Sequence, residues 1–303
     1  MDDRSLNVAI IAFNRPVETA KVMSTIRRAE PQRLFIISDA ARPDRPEEEA
    51  QVHECRSICE SIHPSCDVTR IYATRNMGCA KRVTSGITEA FRHVDRLVIL
   101  EDDCVPHTSF FQFCQSLLNH YRDDHRIATI SGDNFQGDRT WGEGSYYFSK
   151  YFHCWGWATW KRAWDGFDLT MPSWRHWSDQ VDLKVLHHCK EEQRFWYRTF
   201  QDVSHGKLDT WAYPFMFHCW HQRCHHVLPN VNLVSNIGFG DLATHTKQIS
   251  RLANLPVQAA GEVIHPDQVQ ISREADENSY RRIWARKKPS RLHRLQTWLR
   301  PAA

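Results

Sequence analysis

No run of this chain approaches the roughly 18 consecutive apolar residues of a membrane-spanning helix, so no such helix is expected. Its first residues, Met1-Asp2-Asp3-Arg4-Ser5, lack the basic region and apolar segment of a secretion signal, which predicts a cytoplasmic protein. Neither charge sign dominates. With 39 basic against 36 acidic residues the net charge is +3, and no global field points to nucleic acid. Without a secretion signal the ten cysteines do not argue for disulfides, and buried free thiols are expected. The cluster from His218 to His226 has no second arm at a conventional zinc spacing. Common nucleotide and ester signatures are missing too: GxxxxGK[ST], a GxGxxG after the first strand, and GxSxG. No Pro/Gly/Ser-rich linker divides the chain, so one continuous domain is predicted.

What is present alternates. Val8 to Phe13, Leu34 to Ser38, Val68 to Ala73, Leu97 to Leu100 and Ile127 to Ile130 read as strands. Helical patterns fall between them: from Pro16 to about Arg28, from Pro46 towards His63, from Gly78 to Val94 and from Ser109 to Tyr121. The alternation predicts an α/β fold, a mainly parallel sheet flanked by helices. After residue 140 clean periodicity disappears, and ten of the twelve tryptophans lie between Trp141 and Trp220. These rings suit an aromatic core or a carbohydrate platform. Arg281 to Arg300 holds eight Lys or Arg and no acid, with Trp and Leu interleaved. Such a stretch suits an anionic membrane surface, or a solvated helix or end.

The densest chemistry is Glu101-Asp102-Asp103, which closes the apolar run Leu97-Val98-Ile99-Leu100. In an α/β sheet the carboxyl ends of the strands open into the ligand crevice. Strand alternation puts Glu101 and Asp103 on one side and Asp102 on the other. Carboxylates there can hold a hard cation whose remaining ligands are substrate phosphates. The other predicted strands also end in polar residues: Asn14-Arg15, Asp39, Arg75-Asn76 and Gly132-Asp133-Asn134. Together they describe a mixed-charge crevice suited to a diphosphate with a divalent cation.

These residues carry a resemblance. Ile11 to Pro16, Arg75-Asn76-Met77-Gly78-Cys79, Ile99 to Pro106, Phe152 to Asp165 around Trp155-Gly156-Trp157, and Asn236 to Gly240 with Thr244-His245 resemble GT-A-fold glycosyltransferases. The pattern is similar to bacterial hemolytic-protein-like sugar transferases and, more distantly, to the inverting N-acetylglucosaminyltransferase I family. It covers roughly residues 7 to 250.

The resemblance implies a GT-A-like sheet, with residues 1–140 as the nucleotide-sugar-binding half and 141–250 as the acceptor-side and catalytic half. Residues 251–303 form a C-terminal extension with the basic tail. It implies a metal-dependent, inverting transferase of surface polysaccharide or glycoconjugate synthesis, using Mn²⁺ or Mg²⁺ and a nucleotide-diphosphate sugar, UDP-sugar favoured. The acceptor would be a glycan or lipid-linked hydroxyl, with peripheral membrane contact through the tail. Asp103 would bind the metal, Asp102 would lie near the ribose, and Glu101 would support the loop and the metal site. Asn14, Arg15 and Asp39 match nucleotide-contacting positions, with Asn14 in place of the distant family's acid. Arg75 or Arg82 would meet phosphate, and His245 the metal or phosphate. Trp155 and Trp157 would meet substrate. Asp209, in Lys207-Leu208-Asp209-Thr210-Trp211, would be the general base, with Asp165 and Asp168 as alternatives. An Asp ahead of an aromatic run is also an ordinary helix cap. Two other functions stay open: a sugar nucleotidyltransferase, which normally has a Gly-rich loop after its first strand, and a non-catalytic carbohydrate-binding protein.

Overall fold

The computed structural model describes residues 5–180, 189–239 and 252–285. Its centre is an eight-stranded sheet in the order β3-β2-β1-β4-β8-β6-β9-β7. The strands are β1 (Asn7–Ala12), β2 (Arg33–Ser38), β3 (Asp67–Tyr72), β4 (Arg96–Glu101), β6 (Ile127–Ser131), β7 (Tyr146–Ser149), β8 (Trp157–Trp160) and β9 (His225–Pro229). β3, β2, β1 and β4 run parallel; β8 enters antiparallel between β4 and β6, and β7 closes the far edge antiparallel to β9. A separate ribbon pairs β5 (Cys104–Pro106) with β10 (Val234–Asn236).

The parallel strands are short apolar runs because both of their faces are covered. Side chains alternate between two cores. Val8, Ile10, Leu34, Ile36, Val98 and Leu100 pack with α1 (Pro16–Ala29), α2 (Glu48–Glu60) and α4 (Ser109–His120). Ala9, Phe35, Ile37, Leu97 and Ile99 face α3 (Cys79–Ala90) and the aromatic half. That half adds the short helices α5 (Lys161–Trp164) and α6 (Trp174–Gln180), then α7 (Lys190–Ser204) and α8 (Ala212–His221). Most of its tryptophans are core: Trp157, Trp160, Trp164, Trp174, Trp177, Trp196, Trp211 and Trp220 are buried.

The last described helix, α9 (Arg273–Ile283), is capped by Ser272 and packs back on the sheet edge. Its buried Asp276 accepts a hydrogen bond from the Ser149 hydroxyl, and its Ser279 accepts one from Gln136 at 2.7 Å. Beside it Lys150 is buried in an ion pair with Glu192 at 2.8 Å. The basic tail is therefore not of one kind. Arg281 pairs with Glu277 on α9, and Trp284 packs on Tyr151 and Trp196 with ring centroids 4.7 and 5.0 Å apart. Trp284, one of the rings of the stretch that suits a membrane surface or a solvated helix, is half-buried against the aromatic core. Residues 286–303 lie outside the described residues. Among the described residues, no helix is long and apolar enough to cross a membrane.

Strand order explains where a site forms. From β1 the chain steps outward to β2 and β3, then returns to the other side of β1 as β4. The carboxyl ends of β1 and β4 are therefore a topological switch point, where crossovers diverge and leave a crevice. Ile11 of β1 is in register with Glu101 of β4, so the segment after β1 meets the acidic tripeptide directly.

Candidate functional site

A cavity of about 380 Å³ opens at this switch point. Its lining includes Arg15, Asp39, Arg82, Glu101, Asp102, Asp103, Trp155 and Asp209, which are separated by up to 194 positions in sequence. Asn14, Arg75 and Trp157 are not part of it.

The acidic tripeptide is organised around one cation. Arg15 Nη2 lies 2.8 Å from Asp102 Oδ1, and Nη1 lies 2.7 Å from Asp103 Oδ2. The predicted alternation fails here: the strand ends at Glu101 and the chain turns through 102 and 103, bringing both aspartates to Arg15. Asp102 also accepts the Phe13 amide at 3.0 Å, which ties the end of β1 to the end of β4. Burial works against the Arg15 charge, but Asp102 and Asp103 outweigh it and hold the guanidinium protonated. Burial raises the Asp102 pKa although Arg15 opposes it, and burial with Asp103 and Asp102 raises that of Glu101. One guanidinium does not balance three carboxylates.

The β5–β10 ribbon closes the site from above. Asn236 Nδ2 points at Asp103 Oδ1 from 3.4 Å, and the Ile237 amide donates to the Asp103 carbonyl at 2.9 Å. Gly238 then crosses directly over the ion pair. A Cβ there would stand 1.9 Å from Asp103 Oδ2 and 2.4 Å from Arg15 Nη1, so any side chain at 238 would displace the ion pair.

On the other wall, Asp39 at the end of β2 folds the loop before α3. It accepts amides from Ala40, Met77 and Gly78, at 2.9 to 3.0 Å. Burial raises its pKa, and these amides oppose the rise. Its carboxylate therefore serves the loop. Arg82, one turn into α3, is 7% exposed and lines the cavity. Burial lowers its pKa, Asp39 opposes this, and its Nε is buried without a hydrogen-bond partner. Its Nη1 reaches only the Met77 sulfur, at 3.8 Å, and a guanidinium so weakly bonded beside a cavity is suited to an anion.

Asp209 reaches the same place from the far half of the chain. Its Oδ1 accepts the Ala80 amide at 3.3 Å, and a Cβ on Gly78 would stand 3.4 Å from its Oδ2. It thus caps the first turn of α3 rather than its own helix, whose cap position, Trp211, has no side-chain cap bond. Cys79 lies between the two acidic groups; burial, then Glu101 and Asp209, push its thiol up to about 12.

Several expectations need correction. Asn14 turns away and donates to Glu48 at 3.2 Å, within an ion pair of Glu48 with Arg42. Arg75 is exposed and off the lining, so of the two arginines offered for phosphate only Arg82 faces the cavity. Trp157 is 0% exposed and stacked on Trp211; Trp155 is the ring at the cavity. Asp165 and Asp168 do not line it; Asp168 accepts from the Thr170 amide and hydroxyl. His245 lies outside the described residues. Arg42, Cys79, Gly238 and Phe239 line the cavity without having been singled out as site residues. Cys79, Gly238 and Phe239 lie in motifs seen in the sequence, Arg75 to Cys79 and Asn236 to Gly240, but nothing local says that the second crosses Asp103, and Arg42 has no signal of its own.

Among the described residues, no group of three or more His, Cys, Asp or Glu side chains forms a metal site by itself. The Glu101 side chain makes no hydrogen bond among the described residues, whereas Asp102 and Asp103 are both engaged by Arg15, so Glu101 is the carboxylate of the three left open to a cation shared with a ligand.

No family model matches this chain, and no curated protein matches it. Solved structures overlap with about half of it. A UDP-glucose pyrophosphorylase complexed with UDP-glucose is 12% identical over 48% of this chain and 62% of its own, with a TM-score of 0.27. The chain thus spans less than two thirds of that structure. HddC from Yersinia pseudotuberculosis is 10% identical over 52% of this chain and 78% of its own, at 0.33. HddC complexed with GMP-PN gives 9%, 54%, 80% and 0.34. At these scores the overlap does not relate one active site to another; the mixed α/β sheet described above stands on its own strand order.

Proposed function

We propose that this protein is a glycosyltransferase that takes a sugar from a nucleotide-diphosphate donor, with a divalent cation, and passes it with inversion to a hydroxyl acceptor. The observation that carries this reading is the joint lining of one switch-point cavity by Glu101-Asp102-Asp103, Arg82 and Asp209. Arg82, whose guanidinium faces the cavity beside Asp39, would supply positive charge for a phosphate. Glu101 and Asp103 would hold Mn²⁺ or Mg²⁺ together with the diphosphate. The cation, when bound, offsets the charge that builds on the leaving diphosphate. Asp209 would accept the proton of the attacking hydroxyl as that oxygen bonds to the anomeric carbon and the diphosphate departs with the bonding pair. Asp209 comes from the loop before α8 and is held by the Ala80 amide at the first turn of α3, so the base and Arg82 meet at the cavity from different parts of the chain.

A sugar nucleotidyltransferase is the second reading, since it would use the same sheet, carboxylates and cation. What separates the two is the segment after β1. Here it is Phe13-Asn14-Arg15-Pro16, with no glycine, and Arg15 is committed to the aspartates. A thermal-shift panel of UDP, GDP, CDP and dTDP, each with Mn²⁺, Mg²⁺ or EDTA, tests both. A ligand that binds only the native state raises its apparent stability. Stabilisation by one diphosphate with metal, lost in Asp103→Ala, supports the transferase. Turnover of a nucleoside triphosphate with a sugar phosphate would favour the nucleotidyltransferase. No nucleotide response, with retained glycan affinity, would leave a carbohydrate-binding protein.

The proposed lipid-linked acceptor agrees with the basic stretch beyond α9. Removing residues 286–303 is expected to weaken co-sedimentation with anionic vesicles while leaving the melting temperature unchanged; unchanged sedimentation would end the membrane proposal.

A further inference from the structure

A second acid–base pair lies behind the cavity, and the proposed mechanism does not use it. Asp133, just after β6, is fully buried, and its Oδ1 is 2.7 Å from His153 Nδ1. Its other oxygen accepts the Trp155 amide at 3.1 Å. The rest of this turn is held as tightly. Ser131 Oγ donates to the His153 carbonyl at 2.8 Å, and the Gly132 amide donates to the Gly156 carbonyl at 2.7 Å. The segment so clamped, His153 to Gly156, presents one half-buried ring to the cavity, that of Trp155. Phe135 and Phe239 each meet this indole edge-to-face, at centroid distances of 4.9 and 5.6 Å and an interplanar angle of 82°.

We propose that Asp133 and His153 are positioning residues that fix Trp155 as the ring against which the sugar of the donor stacks. This inference rests on the sugar-nucleotide reading of the cavity. His153 Nε2 is buried with no partner, so among the described residues the ring is tied through Nδ1 to Asp133 alone. Asp133 thereby orients both the imidazole and the Trp155 backbone. Asparagine offers one acceptor and one donor, so it keeps both ties only by making Nδ1 the acceptor, which moves the ring hydrogen onto the buried, partnerless Nε2. The indole, gripped by two perpendicular rings, keeps one orientation, and a flat face of fixed orientation suits the apolar face of a pyranose.

The test has one arm that needs no ligand. The near-ultraviolet circular dichroism of wild type minus Trp155→Phe isolates the band of Trp155. We expect that band to be lost in Asp133→Asn and His153→Leu, and kept in His153→Asn, whose amide still donates to Asp133. The second arm compares UDP-glucose with UDP in the presence of Mn²⁺. The affinity gained from the glucose is expected to fall roughly two- to tenfold in Trp155→Ala, the range of an aromatic contact. Asp133→Asn should lose the same factor, and the double variant no more than either alone. If Asp133→Asn does not fold, the His153 pair gives the same contrast. The inference is overturned if the variants lower the melting temperature but keep the Trp155 band, or if the two losses multiply in the double variant. If neither UDP nor UDP-glucose binds wild type, the stacking role fails with the sugar-nucleotide reading, and the dichroism arm still decides whether the dyad holds the ring.

Discussion

The cavity has two walls of different construction. The wall from residues 5–131 is built of regular strands and helices, and its polar residues sit where strands end: Arg15 after β1, Asp39 after β2, Glu101 at the end of β4. The wall from residues 132–239 is built of packed rings on short elements, and only Trp155, Asp209, Asn236, Gly238 and Phe239 reach the cavity. The first wall stores charge and the second stores apolar area. On the first, a residue's function can be read from its position along a strand. On the second, two tryptophans two residues apart do unrelated things: Trp155 faces the cavity and Trp157 is core.

If that division holds, the largest single effect on chemistry comes from the one carboxylate that crosses it. Asp209 arises in the aromatic half and docks on α3 of the other. Asp209→Asn preserves volume and the acceptor for the Ala80 amide while removing the base. Turnover is expected to fall by roughly 10²–10⁴-fold with donor affinity unchanged, measured by single-turnover assay and titration calorimetry. Wild-type turnover in Asp209→Asn would leave Asp209 as a helix cap alone.

The tryptophan pair sharpens the contrast within the second wall. Trp157 is stacked on Trp211 at 5.4 Å and meets Phe152 at 4.9 Å. Trp157→Ala should cost about 3–5 kcal/mol of stability, the range for large buried rings. Trp155→Ala should cost less in a urea titration, because its ring is only half-buried, and should act on ligand affinity instead. Equal destabilisation by both would show that Trp155 is as much a core ring as Trp157.

How far the sequence reached follows the same line. All five predicted strands and the helices between them lie within a few residues of the observed ones, because each parallel strand is an apolar run buried on both faces and bounded by turn residues. The mainly parallel sheet with flanking helices was legible for that reason. Along the second half, rings are buried from every direction, so neither period 2 nor period 3.6 survives. β7, β8, β9 and the β5–β10 ribbon were accordingly not legible. Within the site, strand ends identified Arg15, Asp39 and the acidic tripeptide as cavity residues. What was illegible was who pairs with whom. Asn14 and Arg15 are neighbours with equal claims by position, yet one turns to Glu48 and the other to Asp102 and Asp103. That choice depends on β4 lying beside β1, which no local pattern encodes.

The smallest expected effect tests whether the first wall stores charge in excess. Glu101 has its folded-state pKa raised to about 8 by burial and by Asp103 and Asp102, against an ordinary value near 4.3 in the unfolded chain. With a raised folded pKa, the native state holds a proton that the unfolded state has released. Its contribution to stability is present in full below the unfolded pKa and is lost as pH rises towards 8. Asp102 shifts in the same direction, so the slope belongs to the cluster. Metal-free protein should therefore lose melting temperature steadily across that window, and Glu101→Gln should flatten part of the loss by making the proton unnecessary. A divalent cation supplied with the diphosphate should flatten it in wild type by the same route, since a positive charge at the carboxylates favours their ionised form. The two remedies should not add, because each removes the same excess charge. A slope untouched by both would mean that it arises elsewhere in the molecule, and that this wall holds no excess charge for a ligand to neutralise.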